Sequence, residues 1–390
     1  MDADFTAAAV DCARSVFGDV QLIASTTLRD RPGWFVGRVV LMTDNGQRSV
    51  IAKVPRPRER AALEVLTDAG VGSVPRLLAA GDNPAVVLME DVGSGGCVAD
   101  HLLRADPGKA AAAVVAWAEA IARLQVATLG LGTEFRHRLA ASWPDWKQHD
   151  AVDLKRHPFG RDLAVAWKVA VTRTDSEQVI NETIKGLRTG LAHLGVNVGD
   201  RAQEELRAAT RRLHVDVASA QGPGALSPCD ACPDNNIEAP DGLVLIDFEG
   251  AEFRHIAWDA AYLTVPWPTC WCSWRMPDAV TASALAHWRE IIEPELGPEV
   301  SVGLDDAVRD ATVVWALTSV AWFLDAAHRG DPLGPGGSLR PGARELIQHR
   351  LGVVAATDSD GVLGRLAAGA LDATRAAWGY RPLPLAPAWR

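Results

Sequence analysis

Asp230, Asn235 and Asp247 are the residues of this sequence whose types and spacing most clearly could do chemistry. The first two lie five apart in Leu226-Ser227-Pro228-Cys229-Asp230-Ala231-Cys232-Pro233-Asp234-Asn235-Asn236-Ile237, and the third follows in Leu245-Ile246-Asp247-Phe248. Glu238–Gly242 reads as a turn and Leu243–Ile246 as a strand, which puts Asp247 at a strand end. Transfer of a phosphoryl group from a nucleotide asks little beyond position and charge neutralisation. It needs a carboxylate that orients the attacking hydroxyl and takes its proton, and oxygen ligands for a magnesium ion. In chain order, Asp230 suits the first task, and Asn235 and Asp247 suit the second.

A cation for the phosphates is the next requirement. Lys53 ends the apolar run Ser49-Val50-Ile51-Ala52-Lys53-Val54, where a solvated lysine is not expected. Glu59, Leu63 and Leu66 share one face of a following helix, so Glu59 points inward with the leucines and toward Lys53. Glu64 is the second choice for that partner, but it lies off the face. A lysine at the end of an edge strand and a solvated glutamate are the plainer alternatives.

Taken together, these segments resemble the aminoglycoside phosphotransferase family. Asp230 to Asn235 resembles its catalytic loop, H-G-D-x-x-x-x-N, and Ile246-Asp247-Phe248 its metal motif. Pro228 and Cys229 stand where the family has His-Gly. Val50 to Lys53 resembles the kinase V-A-I-K strand, whose lysine pairs the α/β-phosphates. Val86-Val87-Leu88-Met89-Glu90-Asp91-Val92-Gly93 resembles the family's lobe-connecting segment, so Met89, Glu90 and Val92 would line the adenine pocket. Ile121–Leu124 followed by Gln125 resembles the end of the family's next helix, with Gln replacing His. Trp258-Asp259-Ala260-Ala261-Tyr262-Leu263 resembles P-x-x-D-L-A, in which Asp259 would brace the loop. The resemblance runs from about Val20 to Leu263 in family order. It implies a protein-kinase-like fold, ATP and Mg2+ in the cleft, and a small-molecule hydroxyl acceptor such as a sugar, amino sugar or aminoglycoside-like antibiotic. A phosphate loop should fall near Ser25–Gly33, where Ser25 and Thr26 could donate hydrogen bonds; an ordinary turn is the alternative.

The elements that must hold these residues read as an α+β bilobal arrangement. Residues 1–92 form a nucleotide-side lobe and residues 93–390 a helical lobe. Ala7–Phe17 reads as a helix, with strands at Val20–Thr27, Trp34–Met42 and Arg48–Val54. Asp30-Arg31-Pro32-Gly33 and Asp44-Asn45-Gly46 are turn signals between them. A helix over Arg58–Ala69 and strands at Pro75–Leu78 and Ala85–Met89 complete the small lobe, and Gly93, Gly95 and Gly96 make the crossing. Helices are expected at Pro107–Thr128, Asp162–Thr172, Arg201–Ala218, Ala279–Ile292, Asp305–His328, Ala343–Ala356 and Val362–Trp378, with one strand–loop–strand insertion at Ala225–Phe248. Pro332–Pro341 reads as a loop.

Bulk composition narrows the alternatives. The 390 residues carry a net charge of −10, with 48% apolar and 23% charged residues and no basic cluster of the kind nucleic acid demands. The N-terminus shows no signal-peptide pattern, and Ala311–Ala327 reads as a buried core helix rather than a membrane span, so a cytoplasmic location is expected. There the six cysteines are expected to be reduced. Cys229-x-x-Cys232 with Cys270-x-Cys272 is poorly spaced for zinc. Trp258, Trp267, Trp271 and Trp274 are either core or part of an acceptor site. A protein kinase is disfavoured by the lack of H-R-D and A-P-E elements. The other reading is a catalytically degenerate kinase-like protein that binds a nucleotide or another ligand, which the Pro228-Cys229 departure would favour.

Overall fold

The computed structural model describes residues 3–31, 34–142, 177–265, 274–330 and 341–390. The expected helix at Asp162–Thr172, Trp267, Trp271, Cys270, Cys272 and most of the Pro332–Pro341 loop lie outside these residues.

After helix α1 (Ala3–Phe17), five strands form one sheet: β1 (Gln21–Arg31), β2 (Trp34–Thr43), β3 (Gly46–Lys53), β4 (Leu77–Asp82) and β5 (Ala85–Glu90). Helix α2 (Pro57–Asp68) intervenes between β3 and β4. The strand order is β1-β2-β3-β5-β4, and every pairing is antiparallel. Gly46, at φ +98°, closes the β2–β3 hairpin opposite Thr43, as the Asp-Asn-Gly signal requires. Alternation buries Val39, Leu41, Val50, Ala52, Val86 and Leu88 on one face, where Phe5, Val10 and Ala13 of α1 cover them. The β1 strand runs four residues past the expected end, through Arg31, and consumes Asp30 and Arg31 that read as turn. The antiparallel ladder with Phe35 and Trp34 outweighs their turn preference.

The helical lobe contains α3 (Val98–Leu103), α4 (Pro107–Thr128), α5 (Gly132–Ser142), α6 (Glu177–Ala192) and α7 (Asp200–Arg212). Beyond the hairpins of residues 224–255 come α8 (Ala257–Thr264), α9 (Asp278–Ile292), α10 (Pro298–Arg329), α11 (Ala343–Thr357) and α12 (Val362–Trp378). The expected insertion is two ribbons: β7 (Asn236–Ala239) with β8 (Gly242–Leu245), and β6 (Gly224–Ser227) with β9 (Glu252–His255). By length and composition α4 and α10 could each cross a membrane, but 56% and 83% of their most apolar windows are buried inside the fold. The Ala311–Ala327 stretch therefore serves as core.

The apolar interior divides unequally. Sheet and α1 form a small core, whereas Ala61, Ala62, Leu63, Val65 and Leu66 of α2 belong to the large core of the helical lobe. Helix α2 packs on α5, and its Arg58 donates to the Ala251 carbonyl at 3.1 Å and to Glu252 Oε2 at 2.6 Å. Arg136 holds the other oxygen of Glu252 at 2.7 Å.

One cysteine departs from expectation. Cys12, Cys97 and Cys229 are free thiols, but Cys232 is disulfide-bonded to a partner outside the described residues. Bridging depends on which Cα atoms the fold brings within about 7 Å, which spacing along the chain does not reveal.

Candidate active site

Lys53 ends the central strand β3, paired with Val36 on one side and Val87 on the other, so the edge-strand alternative is ruled out. Its Nζ lies 2.6 Å from Glu59 Oε1 and 2.9 Å from Asp247 Oδ1. Glu59 is buried with Leu63 and Leu66, as the shared helix face required. Glu64 instead faces Arg60 at 3.1 Å and Arg138 at 3.9 Å. Burial opposes the Lys53 charge, but Glu59 and Asp247 outweigh it and hold the ammonium well above its ordinary range. Burial also pushes the Glu59 carboxyl up to about 7 against the pull of Lys53. The two shifts are opposed, and the Lys53 direction governs: with a second carboxylate in contact, the ammonium keeps its proton.

Asp230, Asn235 and Asp247 come together through backbone ties. Asn235 Nδ2 donates to the Asp230 carbonyl at 2.8 Å, and the Ile246 N–H donates to the Asn235 carbonyl at 3.0 Å. Asp247 has φ +67° and Cys229 φ +60°, both in left-handed backbone. Such positions cost roughly 1–3 kcal/mol each and cluster at functional sites. An Asp carboxylate and an Asn amide oxygen form the hard donor set that suits magnesium, which keeps several waters and takes further ligands from substrate phosphates. Among the described residues no group of three or more His, Cys, Asp or Glu lies close enough to hold a metal. A zinc pair at Cys229 and Cys232 does not form, because Cys232 is bridged.

Met89, Glu90 and Val92, expected on the adenine side, sit at the lobe junction. Met89 is buried in β5 between Ile51 and Leu77, Glu90 ends that strand with its carboxylate 2.8 Å from Arg76, and Val92 is half-buried in the hinge. Asp91 ties the hinge to the sheet. It accepts from Arg38 at 2.6 and 3.0 Å and from Ser49 at 2.5 Å, and the Gly93 N–H donates to it at 3.1 Å. Burial opposes its charge, and these bonds hold the carboxyl below its usual value.

Ser25 and Thr26 are not brought to Lys53. They lie inside β1, opposite Val39 and Arg38, whereas the row through Lys53 and Val36 meets Arg29. At 3.3 Å per residue that places them roughly 10 Å along the strand. The turn between β1 and β2 falls at 32–33, outside the described residues.

The brace behind the loop is more extensive than the sequence indicates. Gln125 Nε2 donates to Asp259 Oδ2 at 3.1 Å and to the Ile256 carbonyl at 3.0 Å, and its Oε1 accepts from Trp288 Nε1 at 2.8 Å. Asp259 Oδ1 accepts from Ser227 Oγ at 2.7 Å and from Arg254 Nη2 at 2.5 Å. Asp259 therefore braces the loop. Arg254 and Tyr262 carried no signal along the chain, since a buried arginine is legible only once its partners are placed. Trp258 and Trp274 are core residues, and Arg390 sits 4.3 Å above the Trp274 ring.

No family model matches the sequence, and no curated protein matches it. Solved structures do. An ethanolamine kinase of Plasmodium vivax is similar at a TM-score of 0.49 and 10% identity, over 90% of this chain and 89% of that one. A choline kinase of Cryptosporidium parvum is similar at 0.44 and 11%, over 96% and 99%. A choline/ethanolamine kinase family protein of Mesorhizobium loti is similar at 0.42 and 13%, over 94% and 99%. On its own strands, helices and Lys53–Glu59 pair, the chain has a bilobal α+β fold of protein-kinase-like layout.

Proposed function

We propose that this chain transfers the γ-phosphoryl group of ATP to a hydroxyl of a small molecule, a sugar, amino sugar or aminoglycoside-like antibiotic being the favoured acceptor. The observation that carries the reading is the double contact of Lys53 with Glu59 and Asp247, beside a loop that ties Asp230 to Asn235. In protein kinases a Lys–Glu ion pair of this kind must be in place for phosphoryl transfer. In this reading the adenine lies along Met89 to Val92, and Lys53 neutralises α- and β-phosphate oxygens. Asp230 accepts the proton of the acceptor hydroxyl as its oxygen forms the new P–O bond and the bond to ADP breaks. Asp247 and Asn235 would hold magnesium, which when bound offsets charge on the phosphates.

The test is ADP release from Mg-ATP across amino sugars, aminoglycosides, macrolides and amino alcohols, with Asp230→Ala as control. The expected result is release that depends on one acceptor class and falls about 10² to 10⁴-fold in the variant. Release that is equal in both proteins would overturn the role of Asp230. Binding of Mg-ATP with no release for any acceptor would favour the degenerate binding protein.

A further inference from the structure

Cys229 occupies left-handed backbone immediately before Asp230. A side chain with a Cβ persists there only when its surroundings impose it. Here buried side chains hold the backbone of Cys229 at both ends. Its N–H donates to Ser227 Oγ at 2.9 Å, and its carbonyl accepts from the Tyr262 hydroxyl at 3.2 Å. Arg254 Nε donates to the same Ser227 oxygen at 3.0 Å, and the guanidinium lies 5.6 Å from the centre of the Tyr262 ring. Arg254, Asp259 and Tyr262 are all buried. A fully buried guanidinium is a costly way to fill space, since an apolar side chain of similar volume would serve packing better. Its donors go to the residues that fix the loop.

We propose that Tyr262 and Arg254 are positioning residues for Asp230: they clamp Cys229 in its left-handed conformation and so set the direction in which the Asp230 side chain leaves the loop. This rests on the phosphotransferase reading above. Relaxation of Cys229 to ordinary backbone would swing the following peptide and carry the Asp230 carboxylate away from the acceptor.

Tyr262→Phe removes one hydroxyl and keeps the ring. The expected result is a fall in kcat of tenfold or more with KM for ATP unchanged, because the nucleotide contacts lie on other residues. Adding Cys229→Gly to Tyr262→Phe should restore most of the loss, because glycine adopts the left-handed conformation without a clamp. Arg254→Lys, which keeps the charge but not the forked geometry, should show a partial loss of the same kind. A purely structural tyrosine would lower the melting temperature and would not respond to glycine. An independent readout needs no turnover: amide exchange over residues 226–236 should speed up at least tenfold in Tyr262→Phe while the α10 amides stay as they are. Unchanged exchange in that segment, or a kcat loss that glycine does not restore, overturns the clamp. If the unaltered chain releases no ADP with any acceptor, the phosphotransferase reading fails, and the exchange measurement alone decides the clamp.

Discussion

Lys53 and Asp247 meet at 2.9 Å although 194 residues of chain separate them. The contact joins the sheet of the small lobe to the loop after β8 in the large one, so this pairing of charges is assembled only when both lobes are folded against each other.

Lys53→Ala should therefore fail in two ways. Turnover should fall by about 10²-fold or more, as for loss of an electrostatic donor. The buried Glu59 and nearby Asp247 would also be left facing each other, at a stability cost of about 3–5 kcal/mol. Lys53→Met combined with Glu59→Gln should recover the melting temperature without recovering turnover. Recovery of both would remove Lys53 from the chemistry.

Asp247→Asn isolates charge from shape, because asparagine tolerates φ +67° as aspartate does. The expected outcome is a folded protein whose nucleotide affinity no longer rises with magnesium, read by titration calorimetry with and without the ion. An unchanged magnesium dependence would place the metal elsewhere.

His255 predicts a pH dependence of stability. Its Nδ1 accepts the Ala257 N–H at 3.1 Å, which only the neutral ring can do, and burial lowers its pKa to about 4 from 6.5. The unfolded chain binds this proton below about pH 6.5 while the folded chain refuses it down to about pH 4. Stability is thus fully present above pH 6.5 and is lost as the pH falls through that window, by about 1.4 kcal/mol per pH unit. Urea midpoints for the unaltered chain and His255→Gln at pH 7 and pH 5 should converge at the lower value; parallel curves would exclude the effect.

Gly95→Ala tests the fit of the hinge to the β7–β8 hairpin. A Cβ at Gly95 would stand 2.0 Å from the Glu238 carbonyl oxygen, and the neighbouring Glu238 N–H donates to the Gly96 carbonyl at 2.8 Å. Overpacking against backbone costs typically about 1–3 kcal/mol. A melting temperature equal to that of the unaltered chain would mean the hinge yields freely.

Much of this arrangement was legible along the chain because its signals are local. Asp44-Asn45-Gly46 marks a hairpin through turn chemistry alone, and Glu59, Leu63 and Leu66 share a face by helical period alone. Pro107–Thr128 and Val362–Trp378 match their helices end to end, since proline or glycine punctuates each start. The helices Val98–Leu103, Gly132–Ser142 and Glu177–Ala192 were missed; the first two are short and set by packing more than by pattern. Ser25 and Thr26 misled because hydroxyl content signals a phosphate loop only where the chain turns, and here the ladder to β2 keeps it extended. Arg254 was silent for the same reason that the partner of Cys232 was: each depends on a meeting across the fold.

The division of the two cores changes what counts as a moving part. Helix α2 carries Glu59, yet its apolar face is sunk in the large lobe, and Arg58, next to Glu59, is anchored on Ala251 and Glu252. Lys53 rides on the sheet, whose own core is separate. Were the sheet to rock away, Glu59 would stay with the large lobe, and the 2.6 Å bond to Lys53 would be among the contacts stretched.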